Sequence, residues 1–175
     1  MSGTTKIAYL IIGLQSCGKT TLGRARAADE GGVCLSFDDY FYTVINPKQP
    51  DQFNFRPNRA ASANRWFWMQ LKKLCDTDTS PIYIDQINIL GPHTINMAGF
   101  LAYRYGYKIE LAEPSHPLWL TMKVELTKES RNYDKLLELA QQAVDTSKKP
   151  VQLKSVVFFM EHWENYTVED LLDQY

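Results

Sequence analysis

The chain has 175 residues, a length that suits one globular domain with a single core and leaves no room for a second large one. Its 45% hydrophobic and 22% charged residues are ordinary for a soluble fold, and a formal charge of −1 excludes an overall basic molecule. A nucleic-acid partner would therefore have to meet a local patch. Cys17, Cys34 and Cys75 are odd in number and far apart, with neither the CxxC spacing of a metal site nor the density of a disulfide scaffold. The expected compartment is the reducing cytoplasm. No membrane partner is expected, because the apolar run Ile7 to Ile12 is too short to span a bilayer and Met-Ser-Gly-Thr-Thr-Lys lacks the flanks of a cleaved signal.

Taken in chain order, Ile7 to Ile12 is a continuous apolar run before a glycine-bounded turn, the pattern of a strand buried on both sheet faces. Lys19 to Asp29 carries helix formers and stops at Gly31-Gly32. Val33 to Ser36 reads as a second strand. Asn46 to Phe55 is rich in Pro, Gln, Asn and Asp and predicts a surface loop, followed by a helix from near Pro57 to Leu74. Ile82 to Asp85 is a third strand, Thr94 to Tyr105 a helical stretch, and Tyr107 to Leu111 a fourth strand. Beyond Pro117 the pattern is helical, roughly Met122 to Val144 and Val151 to Trp163, joined by a basic linker at Thr146 to Pro150. Alternating strands and helices predict an α/β fold: a parallel sheet of about four or five strands covered on both sides, with a helical lid region over about 117–175. In such sheets ligands gather outside the carboxyl ends of the strands, where Gly13, Asp38, Asp85 and Glu113 would meet.

Residues Gly13, Leu14, Gln15, Ser16, Cys17, Gly18, Lys19 and Thr20 satisfy the spacing G-x-x-x-x-G-K-[ST] between a strand and a helix, and Thr21 follows. Backbone N–H groups of such a loop and the helix start form a concave donor surface for phosphate oxygens. Lys19 brings a cation to the β- and γ-phosphates, and the Thr20 hydroxyl is the expected magnesium contact. ATP and Mg²⁺ are the implied cofactors. At a helix start the Cys17 thiol pKa is expected to fall, although a small-residue packing role is the simpler account.

Asp38 and Asp39 close the second strand, and either carboxylate could accept a proton from an acceptor hydroxyl or serve as an ordinary turn acid. Asp85 could hold magnesium through its water shell or orient a substrate. Asn88, in the same loop, reads equally as a cap and as a substrate contact. Trp66, Phe67 and Trp68 suggest a stacking platform, yet three consecutive helical residues do not share a face, so packing is expected for at least two. His93, His116 and His162 have no metal-ligand spacing and read as surface or core histidines.

In order along the chain, Gly13 to Thr21, Ser36-Phe37-Asp38-Asp39-Tyr40-Phe41, Phe53-Asn54-Phe55-Arg56-Pro57, Asp85-Gln86-Ile87-Asn88 and Glu113-Pro114 together resemble the polynucleotide 5′-kinase-like branch of P-loop kinases. That branch includes phage polynucleotide kinases and the kinase-like domains of animal ubiquitin-ligase-binding proteins. The resemblance implies Asp38 as general base toward a 5′-hydroxyl, with Asp85 and Asn88 at the ends of a loop whose middle, Gln86-Ile87, departs from the pattern. Asn64 stands where these relatives carry histidine.

The largest departure is in the lid, where the resemblance implies arginines that meet the ATP phosphates. Here Glu138 to Ala143 places Gln141 and Gln142 in those positions. Replacement cations are sought among Lys128, Arg131, Lys135, Lys148 and Lys149, with Lys148 and Lys149 favoured by their place in a linker. The expected activity is transfer of the ATP γ-phosphate to a 5′-hydroxyl of a polynucleotide or nucleotide. A small-molecule acceptor and a nucleotide-binding interaction module without turnover are the alternatives; a protein partner is not legible.

Overall fold

The computed structural model describes residues 3–50 and 52–175. Met1, Ser2 and Asp51 lie outside the described residues, and with them part of the amino-terminal stretch and of the loop expected over Asn46–Phe55. Four parallel strands, β1 (Ile7–Ile11), β2 (Val33–Ser36), β3 (Ile82–Asp85) and β4 (Lys108–Ala112), form one sheet in the order β2-β3-β1-β4. The chain is thus α/β, with an all-parallel sheet consistent with a P-loop NTPase-type fold. β1 and β3 are central and pair in register from Ala8 with Ile82 to Leu10 with Ile84, so their carboxyl ends open side by side.

Alternation along β1 divides the core. Ala8 and Leu10 face the cluster built with α2 (Ala60–Asp76), α3 (Pro92–Gly99) and α7 (Val168–Asp173), through Phe67, Leu71, Met97 and Leu171. Tyr9 and Ile11 face α1 (Lys19–Glu30), with Ala27 and Tyr83. Helix α1 lies so close that a Cβ on Gly23 would come within 2.7 Å of Ile11 and 2.8 Å of Cys34 Sγ. Only glycine permits that approach.

The third cluster is the lid region itself. Helices α4 (Pro117–Leu126), α5 (Tyr133–Thr146) and α6 (Leu153–Glu161) pack through Trp119, Met122, Leu139, Ala140, Val156 and Trp163. Leu14 and Cys17 of the first loop belong to the same cluster, which docks the lid region on the strand-end edge.

Several boundaries differ from the sequence reading. The helix expected over Met122–Val144 is two helices, α4 and α5, because Asn132 caps a new start by accepting from Lys135 N at 3.1 Å. Short 3-10 geometry at Pro57–Arg59 precedes α2, which runs on to Asp76. The helix expected from Thr94 begins at Pro92 and turns into π geometry over Phe100–Arg104. β4 is shifted by one residue, and α7, started by a capping box between Thr167 and Asp170, was not expected. Among the described residues no helix is long and apolar enough to cross a membrane.

Candidate active site

The loop between β1 and α1 takes its shape from conformations that ordinary residues avoid. Gly13 has φ 144° and Gly18 φ 83°, and the latter caps α1 in the left-handed region. A Cβ on Gly13 would stand 3.3 Å from Lys19 Cγ, inside the concavity over which the lysine stem folds. Ser16, at φ 61°, is strained in the same loop.

Lys19 is 9% exposed and its ammonium donates to Leu14 O at 2.8 Å. It meets no carboxylate at ion-pair distance among the described residues. Burial drives its pKa below the ordinary lysine value of 10.5, with the charge of Asp85 opposing that shift. A buried cation lacking an anion, beside the buried and unpartnered Gln15 Oε1 and Ser16 Oγ, suits a loop that receives phosphate oxygens. Cys17 follows the simpler packing account and not the lowered pKa expected at a helix start. Its thiol is buried and its pKa is raised by desolvation, which outweighs the pull of Lys19.

Thr20 Oγ1 donates to Asp85 Oδ2 at 2.6 Å, and Asp85 is 5% exposed at the end of β3. A hydroxyl and a carboxylate are hard oxygen donors of the kind magnesium prefers. No group of three His, Cys, Asp or Glu among the described residues could hold a metal ion by itself, so such an ion would take its remaining donors from phosphate and water.

Asn88 lies three residues beyond Asp85. It is 2% exposed, and its Nδ2 donates to Ile11 O at 2.8 Å and Ile84 O at 3.1 Å. It clamps the ends of β1 and β3 while Oδ1 stays unpartnered. Tyr166 donates to Asn88 O from the segment before α7.

The two adjacent acids diverge. Asp39 accepts from Ser36 N and from Arg24, each at 3.2 Å, while burial raises its pKa against both. Asp38 remains on the strand-end edge, and Oδ2 accepts from Lys149 Nζ at 2.6 Å. Around them Phe41, Tyr42, Phe53 and Phe55 form a ring cluster, with Phe41 and Phe55 4.9 Å apart. Trp66 and Trp68 are half-buried and Phe67 is fully buried, so all three pack into the core.

Of the lid candidates, only Lys149 reaches this edge. Lys148 is exposed. Arg131 is turned elsewhere: its guanidinium donates to Leu126 O, Met160 O and Trp163 O at 3.0–3.3 Å, tying α4 to the end of α6. Lys128 and Lys135 meet Glu125 at 2.6 and 3.9 Å. His116, read from sequence as a plain histidine, caps α4 by accepting from Leu118 N and lies 3.4 Å from where a Gly18 Cβ would stand. Its position after Glu113-Pro114 and before Pro117 was the only available signal, that of a cap.

No protein-family model matches the sequence. The chain is similar in structure to a protein from Chloroflexus aurantiacus J-10-fl described only provisionally as a kinase. The TM-score is 0.51 at 16% identity, over 87% of this chain and 75% of that one. It is also similar to a chain of the Pnkp1/Rnl/Hen1 RNA repair complex, with TM-score 0.57 and 12% identity. That match covers 99% of this chain and 48% of the other, so this chain spans about half of that one. At such identities the likeness shows the fold, which is P-loop kinase-like.

Proposed function

We propose that the chain is an ATP-dependent phosphotransferase that moves the γ-phosphoryl group to a 5′-hydroxyl of a polynucleotide or nucleotide. The observation that carries this reading is the meeting on one sheet edge of the buried, anion-lacking Lys19, the Thr20–Asp85 pair and the Asp38 carboxylate. Kinase-like fold neighbours support a generic phosphotransferase. The choice of a 5′-hydroxyl rests on the resemblance carried by Ser36 to Phe41 and Asp85 to Asn88.

In this reading Gly13 to Thr21 cradle the triphosphate of ATP, and Lys19 neutralises its outer phosphates. Thr20 and Asp85 would hold magnesium, which would supply further positive charge to the phosphates. Asp38 orients the acceptor hydroxyl and takes its proton as the acceptor oxygen bonds to the γ-phosphorus. The bond from that phosphorus to the β–γ bridging oxygen breaks, and ADP leaves. Asp39, committed to Arg24 and Ser36, supports the turn that presents Asp38. Three cysteines that form no disulfide fit a cytoplasmic setting for such an enzyme.

A nucleotide-binding module without turnover is the second reading, favoured by the commitment of Arg131 to backbone carbonyls. Incubation with labelled ATP, magnesium and a panel of 5′-hydroxyl oligonucleotides, nucleosides and small alcohols decides among them. Label on oligonucleotides or nucleosides supports the proposal, label only on other alcohols gives a small-molecule kinase, and binding without transfer gives the module.

A further inference from the structure

Lys149 comes from the linker between α5 and α6, yet its ammonium stands 2.6 Å from Asp38 Oδ2, a partner 111 residues away. Two aromatic faces back it, with Phe53 at 5.6 Å and Tyr42 at 5.9 Å from ring centroid to Nζ. Burial acts against its charge, but the charge of Asp38 and the hydrogen bond to it prevail, and the amine is held protonated above the usual lysine range. The same ammonium stands within electrostatic range of the phosphate loop: it depresses the Lys19 pKa, and Asp85 acts on it in turn.

We propose that Lys149, through its contact with Asp38, plugs the acceptor side of the site and moves to the phosphates when nucleotide binds, so that ATP enters before the acceptor. The inference rests on the phosphotransferase reading above. Lys149 and an acceptor hydroxyl are both donors, and they compete for one carboxylate. The Tyr42 and Phe53 faces behind the ammonium are also aromatic surfaces on which a flat acceptor ring could stack. One side chain therefore blocks both halves of the acceptor. A triphosphate carries more negative charge than Asp38, and a lysine's four-carbon stem lets the ammonium change partners without moving the fold. With phosphate present, the repulsion between Lys19 and Lys149 becomes shared attraction to one anion. The linker lysine then supplies the lid cation that Gln141 and Gln142 do not.

Lys148 provides an internal reference, being adjacent and exposed. Amine acetylation at fixed pH, read site by site by mass spectrometry, should find Lys149 several-fold slower than Lys148 without nucleotide, since the Lys149 ammonium is engaged by Asp38 while Lys148 is exposed. Asp38→Asn should bring the two rates together. Magnesium with a non-hydrolysable ATP analogue should slow Lys149 again in that variant, because the phosphates become its new partner. Equal rates in the unmutated protein, or no renewed protection in Asp38→Asn, overturn the proposal. In a second arm, a fluorescent 5′-hydroxyl single strand should bind the unmutated protein at least about tenfold more tightly with the analogue than without it, a coupling of about 1.4 kcal/mol. Lys149→Met should remove that dependence, and a dependence that persists in Lys149→Met overturns the exchange. Calorimetry with the analogue separates the failures. Nucleotide binding without protection sinks the exchange alone, whereas no nucleotide binding sinks the phosphotransferase reading and the exchange together.

Discussion

The Thr20 hydroxyl donates to Asp85 Oδ2 at 2.6 Å, joining the first turn of α1 to the end of β3 across 65 residues. This bond sets two hard oxygen donors side by side at the start of α1 and the end of β3. Asp85→Asn should therefore weaken the magnesium-dependent part of ATP binding by roughly 10- to 100-fold, the usual loss when an oriented partner at a metal site is removed. Titrations with and without magnesium check this. Equal losses in both would assign Asp85 to the fold rather than to the metal.

Lys19 carries a charge that no carboxylate at ion-pair distance compensates among the described residues. Its folded pKa lies below 10.5, its ordinary value, so the unfolded chain binds more protons in the window between the two. Stability from this group is lowest below the folded pKa and rises as pH climbs through the window toward 10.5. Lys19→Met should lack that rise, so its advantage over the unmutated protein shrinks with increasing pH. Urea unfolding at a series of alkaline pH values measures the difference. The same variant should lose ATP binding by at least about a hundredfold, because the side-chain cation of the cradle is gone.

Asp38 and Asp39 should separate cleanly. Asp38→Asn is expected to keep or raise ATP affinity, since Lys149 no longer has to leave a carboxylate, and to lower turnover by roughly two to four powers of ten, the common worth of a positioned base. Asp39→Asn, which weakens contacts to Arg24 and Ser36 N, should cost about 1 kcal/mol of stability and leave most turnover. Steady-state rates beside thermal melts distinguish the two, and the reverse pattern would move the base to Asp39.

Arg131 is bound to three backbone carbonyls, one on α4, one on α6 and one just beyond α6. Its replacement by alanine should destabilise the lid region by about 2–4 kcal/mol, as expected for losing several charge-assisted bonds at once. Nucleotide affinity of the folded protein should be unchanged. A selective loss of turnover with an unaltered melting temperature would instead place Arg131 at the phosphates.

Much of the fold was legible because its signals are local. Ile7 to Ile12, Val33 to Ser36 and Ile82 to Asp85 are short apolar runs closed by turn residues, and each became a strand within a residue of the expected end. The lid region was less legible. Leu118, Trp119, Met122, Leu136 and Leu139 keep a helical pattern across the break at Thr127–Asn132, and the cap that divides it is one asparagine. Helix α7 is six residues long, too short for periodicity to announce.

What the sequence by itself determined is the shape of the glycine-bounded loop between β1 and α1, because Gly13, Gly18, Lys19 and Thr20 act through backbone conformation and spacing within eight consecutive positions. Which acid faces the site, which lid cation reaches it, and that Cys17 is buried rather than activated were decided only by tertiary structure. Asp38 and Asp39 are chemically identical, and the packing of α1 gives Arg24 to one of them. Lys148 and Lys149 are neighbours in one linker, and the path of α5 and α6 turns only the second toward the sheet edge. Such choices depend on where distant chain segments cross, and no local pattern of residues encodes a crossing.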